Sequence, residues 1–213
     1  MKESENVNFE KCFNPETLKY SMLFTSLFIL YFEALKQKVV EVVSSFYSDT
    51  FEIKEGKVFP RRTGKYKECV LSLRKDRSKE GDFEACLYWL IKEKAISEEE
   101  CDLALSARNL RNQYVHELSS VLLRGIAEEE VKLFRELILI YSKIDNWFWI
   151  NVELAIMEPD EIPEGIDTSK VQSVKVEFLN ILANIAINGD DSYYEELKRV
   201  LMRGNENSKM HEA

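Results

Sequence analysis

The chain has 213 residues, 45% of them hydrophobic, with only seven glycines and four prolines. That length supports one good core, or a core with an appendage, and so few backbone breakers favour helices joined by short connections. A net charge of −9 argues against broad, non-specific nucleic-acid binding, and four scattered cysteines without a C-x-x-C pair argue against a zinc ribbon or a disulfide framework.

The first residues, MKESENVNFE, are polar and mixed in charge, so a loose start without a secretory leader is expected. Asn14-Pro15-Glu16 predicts a helix with proline in its first turn, running to about Tyr47. Its apolar run MLFTSLFILYF, residues 22–32, falls short of the roughly 20 residues that span a bilayer. A buried helix is therefore expected rather than a membrane span, with part of its surface covered by a second subunit. With Cys12, Cys69, Cys86 and Cys101 read as reduced thiols, the expected setting is cytoplasmic.

FEIKEGKVF, residues 51–59, alternates around Glu55-Gly56 and predicts a small hairpin. From Lys54 to Glu80 there are ten basic and four acidic residues, a local excess of +6 in an acidic chain. Arg61, Arg62 and Lys65 lie there beside Phe59 and Tyr66, a mixture that could grip phosphates and stack a base. A solvated connecting loop with a short helix around Tyr66 to Leu73 is the other reading. A compact helix is predicted from Asp82 to Glu93.

Ser97 followed by Glu100 is a capping-box pattern, and no glycine or proline follows until Gly125. One uninterrupted helix to about Arg124 is expected. At about 100° per residue, Leu103, Ala107, Leu110, Tyr114, Leu118 and Val121 form its core stripe. Asn109, Asn112 and His116 fall on the opposite side, with Arg108 and Arg111 at one edge. This strip is polar but almost uncharged in a chain that is 31% charged. Asn and His suit a face that becomes partly desolvated, as at a subunit contact or a catalytic site. His116 is one of two histidines, and imidazole is the side chain best suited to proton transfer near neutral pH.

Within ARNLRNQYVHEL, residues 107–118, Arg111, Asn112 and His116 read R-N-x-x-x-H. Here the sequence resembles the HEPN superfamily of helical proteins, many of them metal-independent ribonucleases. The approach LYWLIKEKAISEEECDLALSARNLRNQYVH and the early helix TSLFILYFEALKQKVVEVVSSFY are similar to the family's order of helices, over roughly residues 15–155. The resemblance implies an all-α, antiparallel HEPN-like bundle and a homodimer whose cleft combines two copies of the motif. It implies His116 as base or acid, Arg111 on the scissile phosphate and Asn112 as an orienting group. Arg108, Asn109 and the basic residues Arg61, Arg62 and Lys65 are secondary candidates for RNA contact. Products would be 2′,3′-cyclic phosphate and 5′-hydroxyl ends. No metal or other cofactor is implied. Some toxin members carry a Tyr two residues after the His as a site of AMP attachment; Leu118 stands there in this chain.

The rest of the chain narrows the alternatives. Glu128 to Met157 predicts a helix rich in Leu, Ile and Trp, with Trp147, Phe148 and Trp149 as core or interface anchors. EPDEIPEGID, residues 158–167, reads as a linker between a domain at 1–157 and a helical extension at 158–213, packed on the same domain. That extension is expected to contain helices at 169–187 and 192–202 and a polar tail with His211. His116-Glu117 is no zincin motif, because Ser120 stands where H-E-x-x-H needs histidine. One interior histidine cannot build the paired Glu-x-x-His motifs of a di-iron bundle. Two functions remain in play. One is an RNA-cleaving toxin or anti-phage defence enzyme with an antitoxin or other defence partner. The other is a catalytically silent module that dimerises or binds a nucleotide or a protein.

Overall fold

The computed structural model describes residues 14–54, 57–74, 81–154, 157, 167 and 173–188. Those residues are mostly helical, with a single two-stranded sheet among them. The predicted linker lies almost wholly outside them, and the helix at 192–202 and His211 lie outside them entirely.

Helix α1, Pro15–Ser45, begins where expected. Asn14 Oδ1 accepts the Glu16 and Thr17 N–H groups at 2.9 and 3.3 Å, and Pro15 follows with no N–H to satisfy. Thirty-one residues make the apolar run part of a helix long and apolar enough to cross a membrane; half of that stretch is buried within the protein. The buried side is aromatic. Phe24, Phe28 and Tyr31 surround Phe134 with ring centroids 5.2–5.7 Å apart, in tilted to edge-on geometry. Met22, Leu23 and Leu30 on the other side are exposed.

The hairpin forms, and is longer than predicted. Strand β1, Ser48–Lys54, pairs antiparallel with β2, Lys57–Arg62, in a register that puts Ile53 opposite Val58 and Lys54 opposite Lys57. Pro60, opposite Phe51, is tolerated because each strand of this two-stranded sheet has one edge facing away from its partner. Helix α2, Gly64–Cys69, and a 3-10 turn, Leu71–Leu73, follow. Helix α3, Phe83–Lys92, buries Phe83, Cys86, Leu87, Trp89 and Leu90.

Ser97 closes its capping box with Glu100 through bonds of 3.2 and 2.7 Å, and starts α4, Glu98–His116. The expected continuous helix to Arg124 is not observed. At Glu117 the backbone turns to φ −126°, ψ 28°, and a separate helix α5, Leu118–Arg124, begins. The hydrogen bonds Glu117 N–H to Gln113 C=O and Val121 N–H to Glu117 C=O bridge the joint, so the break is a kink rather than a gap. Its consequence is that Leu118, expected in the core stripe, is 43% exposed, while Ala104, Ala107, Tyr114 and Val121 are buried.

Helix α6, Glu128–Phe148, ends earlier than Met157, in a π-helical stretch at Trp149–Glu153. Trp147 packs edge-on against Trp89 at 6.2 Å and near Phe46 at 6.1 Å, an anchoring role for that tryptophan. Helix α7, Val174–Asn188, lies against α1 and α6. Tyr31 donates its hydroxyl to Asn180 Oδ1 at 2.8 Å. Asp145, fully buried on α6, meets Lys38 Nζ at 2.7 Å and accepts the Ser173 N–H at 2.6 Å. A buried carboxylate is tolerated only when paired in this way.

Candidate active site on the motif helix

The motif helix is seated by its small and aromatic residues. Ala104 and Ala107 are fully buried, and the Tyr114 ring meets Phe28 of α1 edge-on at 5.3 Å. This contact sets which residues of α4 face α1. Arg111, one turn before Tyr114, is therefore partly covered, its side chain 27% exposed, and it reaches the Glu33 carboxylate at 2.5 Å from Nη2 to Oε1. The second terminal nitrogen of the guanidinium, Nη1, donates to Asn112 Oδ1 at 3.2 Å. Arg111 is thus held in place by α1 and itself orients Asn112.

His116 ends the helix at the kink. It is exposed, and among the described residues it has no ion pair or hydrogen bond; neither Glu117 nor any other described carboxylate caps it. Asn112 lies one turn before it on the same exposed side. Val115, Leu118 and, on α1, Leu30 and Leu23 add exposed apolar area on these elements. Such a mixture of an unpaired imidazole, an amide and aliphatic groups is unlike an ordinary solvated helix face.

A cleft of about 170 Å³ opens beside Arg111, between α1, the start of α3 and α4. Phe32 and Phe83 form its floor, and Arg108 and Asn112 are among its lining residues. Arg108 Nη1 stands 3.5 Å from Glu84 Oε2. His116 is not in the lining, so this chain alone does not bring both ends of the motif to one cavity.

The other predicted contacts are dispersed. Asn109 is exposed on α4. Arg61 is exposed on β2, opposite Thr50. Arg62 forms an ion pair with Asp82 and stacks its guanidinium 4.4 Å above the Tyr66 ring. Lys65 is exposed on α2. Asp82 also accepts from Arg74 at 2.5 Å and from the Tyr66 hydroxyl at 3.1 Å. Through Arg74 the basic segment therefore does reach the cleft, at a residue that no motif in the sequence marks.

Glu33, Lys36, Arg74 and Glu84 are the charged residues near the motif that the sequence did not single out. Glu33 is 78 positions from Arg111, and nothing in local spacing links them. Among the described residues, no three His, Cys, Asp or Glu side chains converge as a metal-ligand set. Compared with family models, curated proteins and solved structures, the chain matches none.

Proposed function

We propose that this protein is a HEPN-type, metal-independent endoribonuclease acting as a homodimer. The observation that carries the proposal is the state of His116: exposed, free of any described carboxylate, and on the same helix as an anchored Arg111. An exposed imidazole without a partner is free to meet a substrate. A general base or acid must reach its substrate.

Cleavage requires that a 2′-hydroxyl lose its proton and attack the adjacent phosphorus while the 5′-oxygen leaves and takes up a proton. It also requires positive charge on the pentacoordinate phosphorus oxygens in between. One His and one Arg do not fill three roles. Two chains paired over α1 and α4 would supply two imidazoles and two guanidinium groups, and such pairing would cover Leu23, Leu30 and Val115. In that arrangement one His116 accepts the 2′-hydroxyl proton and the other protonates the 5′-oxygen. Arg111 holds the phosphate and Asn112 orients the substrate. The products are a 2′,3′-cyclic phosphate and a 5′-hydroxyl.

A cytoplasmic toxin or anti-phage role, with an antitoxin or other defence component as partner, follows from family analogy alone. The second reading is a silent dimerisation or ligand-binding module, which the Arg111–Glu33 pair favours because it satisfies Arg111 without any substrate. The deciding experiment is cleavage of total tRNA and of a long single-stranded RNA in EDTA, with His116→Ala alongside. Cleavage by the wild type alone, leaving cyclic phosphate ends, supports the nuclease. Absence of cleavage by a protein shown to be dimeric by light scattering favours the silent module.

A further inference from the structure

The cleft beside Arg111 has a charge composition of its own. Among the described residues four cations line it, Lys36, Arg74, Arg108 and Arg111, against two carboxylates, Glu33 and Glu84, while Asp82, the partner of Arg74, is shared with Arg62. In a chain of net charge −9 this is a local excess of two positive charges over an aromatic floor. Two of its arginines are also incompletely used. Arg74 and Arg111 each give one Nη to a carboxylate, and their Nε–H groups are buried without a hydrogen-bond partner among the described residues. Those two atoms have no accessible surface, but the side chains of Arg74 and Arg111 are 20% and 27% exposed, so a ligand in the cleft can meet their guanidinium groups.

We infer that this cleft binds a terminal phosphate, a phosphomonoester, as borne by a mononucleotide or by an RNA end. The two surplus positive charges match the charge of about −1.5 to −2 that a phosphomonoester carries near neutral pH. An internal phosphodiester carries only one. Arginine forks suit phosphate oxygens, and a cleft of about 170 Å³ accepts a group larger than phosphate itself, such as the attached ribose. Glu33 occupies the position of a competing anion. It lies 2.5 Å from Arg111 and 3.8 Å from Lys36, and it is 40% exposed, so an incoming phosphate displaces a carboxylate that can turn to solvent. This inference rests on the nuclease reading only for its consequence. A cleft that holds phosphorylated ends retains phosphorylated RNA and releases fragments whose new ends are 5′-hydroxyls.

The test is equilibrium binding by calorimetry to the full chain carrying His116→Ala, so that no ligand is cut. The probes are adenosine 5′-monophosphate, adenosine, adenylyl-adenosine and a 5′-phosphorylated oligonucleotide. The monophosphate should saturate, adenosine should not bind, and adenylyl-adenosine should bind about tenfold or more weakly than the monophosphate. Arg108→Ala and Lys36→Ala should each weaken the monophosphate about tenfold, and Glu33→Gln should tighten it. Circular dichroism of each variant separates lost binding from lost fold, and Glu33→Gln reads out as a gain, which misfolding cannot mimic. An oligonucleotide tighter than the monophosphate assigns the cleft to RNA ends; equal affinity assigns it to free nucleotides. No saturation by the monophosphate, equal binding of adenylyl-adenosine, or affinity indifferent to Arg108→Ala overturns the inference. Wild-type cleavage in EDTA with no monophosphate binding removes the cleft and leaves the nuclease. Binding without cleavage removes the nuclease and leaves the cleft.

Discussion

Arg111 of the motif helix and Glu33 of α1 face each other at 2.5 Å across a helix contact, while His116, five residues on, is exposed and has no hydrogen bond or ion pair among the described residues. The two ends of the motif are thus prepared differently. The cation is positioned in advance by a neighbouring helix, and the imidazole is left for whatever approaches the surface.

His116→Ala should lower RNA cleavage in EDTA by roughly two orders of magnitude or more, because proton transfer is lost. Its thermal midpoint should stay within about 2 °C of wild type, since exposed side chains without partners contribute little to stability. A large fall in the midpoint together with activity would mean that the imidazole is structural.

Arg111→Lys should not rescue Arg111→Ala in the same assay. An ammonium cannot meet Glu33, Asn112 and a phosphate with the fixed geometry of a guanidinium. Glu33→Gln should move the midpoint by no more than about 3 °C, because a partly exposed ion pair contributes about 0–1 kcal/mol. Full activity in Arg111→Lys would show that charge alone suffices there.

Glu130 sets a pH dependence. Burial raises its carboxyl, but two Arg124 bonds of 2.5 and 3.0 Å, the Ala127 N–H at 2.8 Å and Tyr114 outweigh it, so the group lies below its ordinary 4.5. A depressed carboxyl adds stability above that ordinary value and loses it as pH falls through the folded one. Wild type should therefore lose stability in acid below about pH 4.5 more steeply than Glu130→Gln. At pH 7 the variant should be less stable by roughly 1–3 kcal/mol. Urea midpoints measured from pH 7 to pH 3 check both statements, and parallel curves would contradict them.

Cys86 should be inert in the folded protein. Burial pushes its thiol up to about 11, against the lowering effect of its hydrogen bond with the Tyr66 hydroxyl 3.4 Å away. Only the thiolate is nucleophilic, so iodoacetamide at pH 8 should leave Cys86 unmodified until denaturant is added. Mass spectrometry of the alkylated peptides reads this directly, and rapid native labelling would show that the α3 core opens.

Phe28→Ala should cost about 3–5 kcal/mol, as the ring fills space between α1, Tyr114 and Phe134. Because the same ring seats the motif helix, cleavage should fall as well. Retained activity at a lowered midpoint would separate the seat from the site.

Local rules carried much of the fold. Asn14-Pro15, the Glu55-Gly56 alternation and the Ser97/Glu100 box each act within a few residues, and helix starts and strands stand close to where these signals put them. The kink at Glu117 has no such signal, since neither glycine nor proline marks it, and it turns Leu118 out of the core stripe in which helix periodicity places it. For the candidate site, exposure of His116 followed from helix periodicity. The partners of the cations did not, because Arg111–Glu33 and Arg62–Asp82 are contacts between distant parts of the chain. Periodicity says which way a side chain points from its own axis, and nothing about what stands opposite.

The contacts of α7 have a consequence for the order of events during synthesis. Helix α1 emerges first from the ribosome, yet Tyr31 waits for Asn180, and the buried Asp145 beside Lys38 waits for the Ser173 amide. The contacts of Tyr31 with Asn180 and of Asp145 with Ser173 therefore cannot form until about 180 residues have been made. Before then, α1 can already pack its aromatic side against Tyr114 and Phe134 and pair Glu33 with Arg111, while the Tyr31 hydroxyl still lacks Asn180.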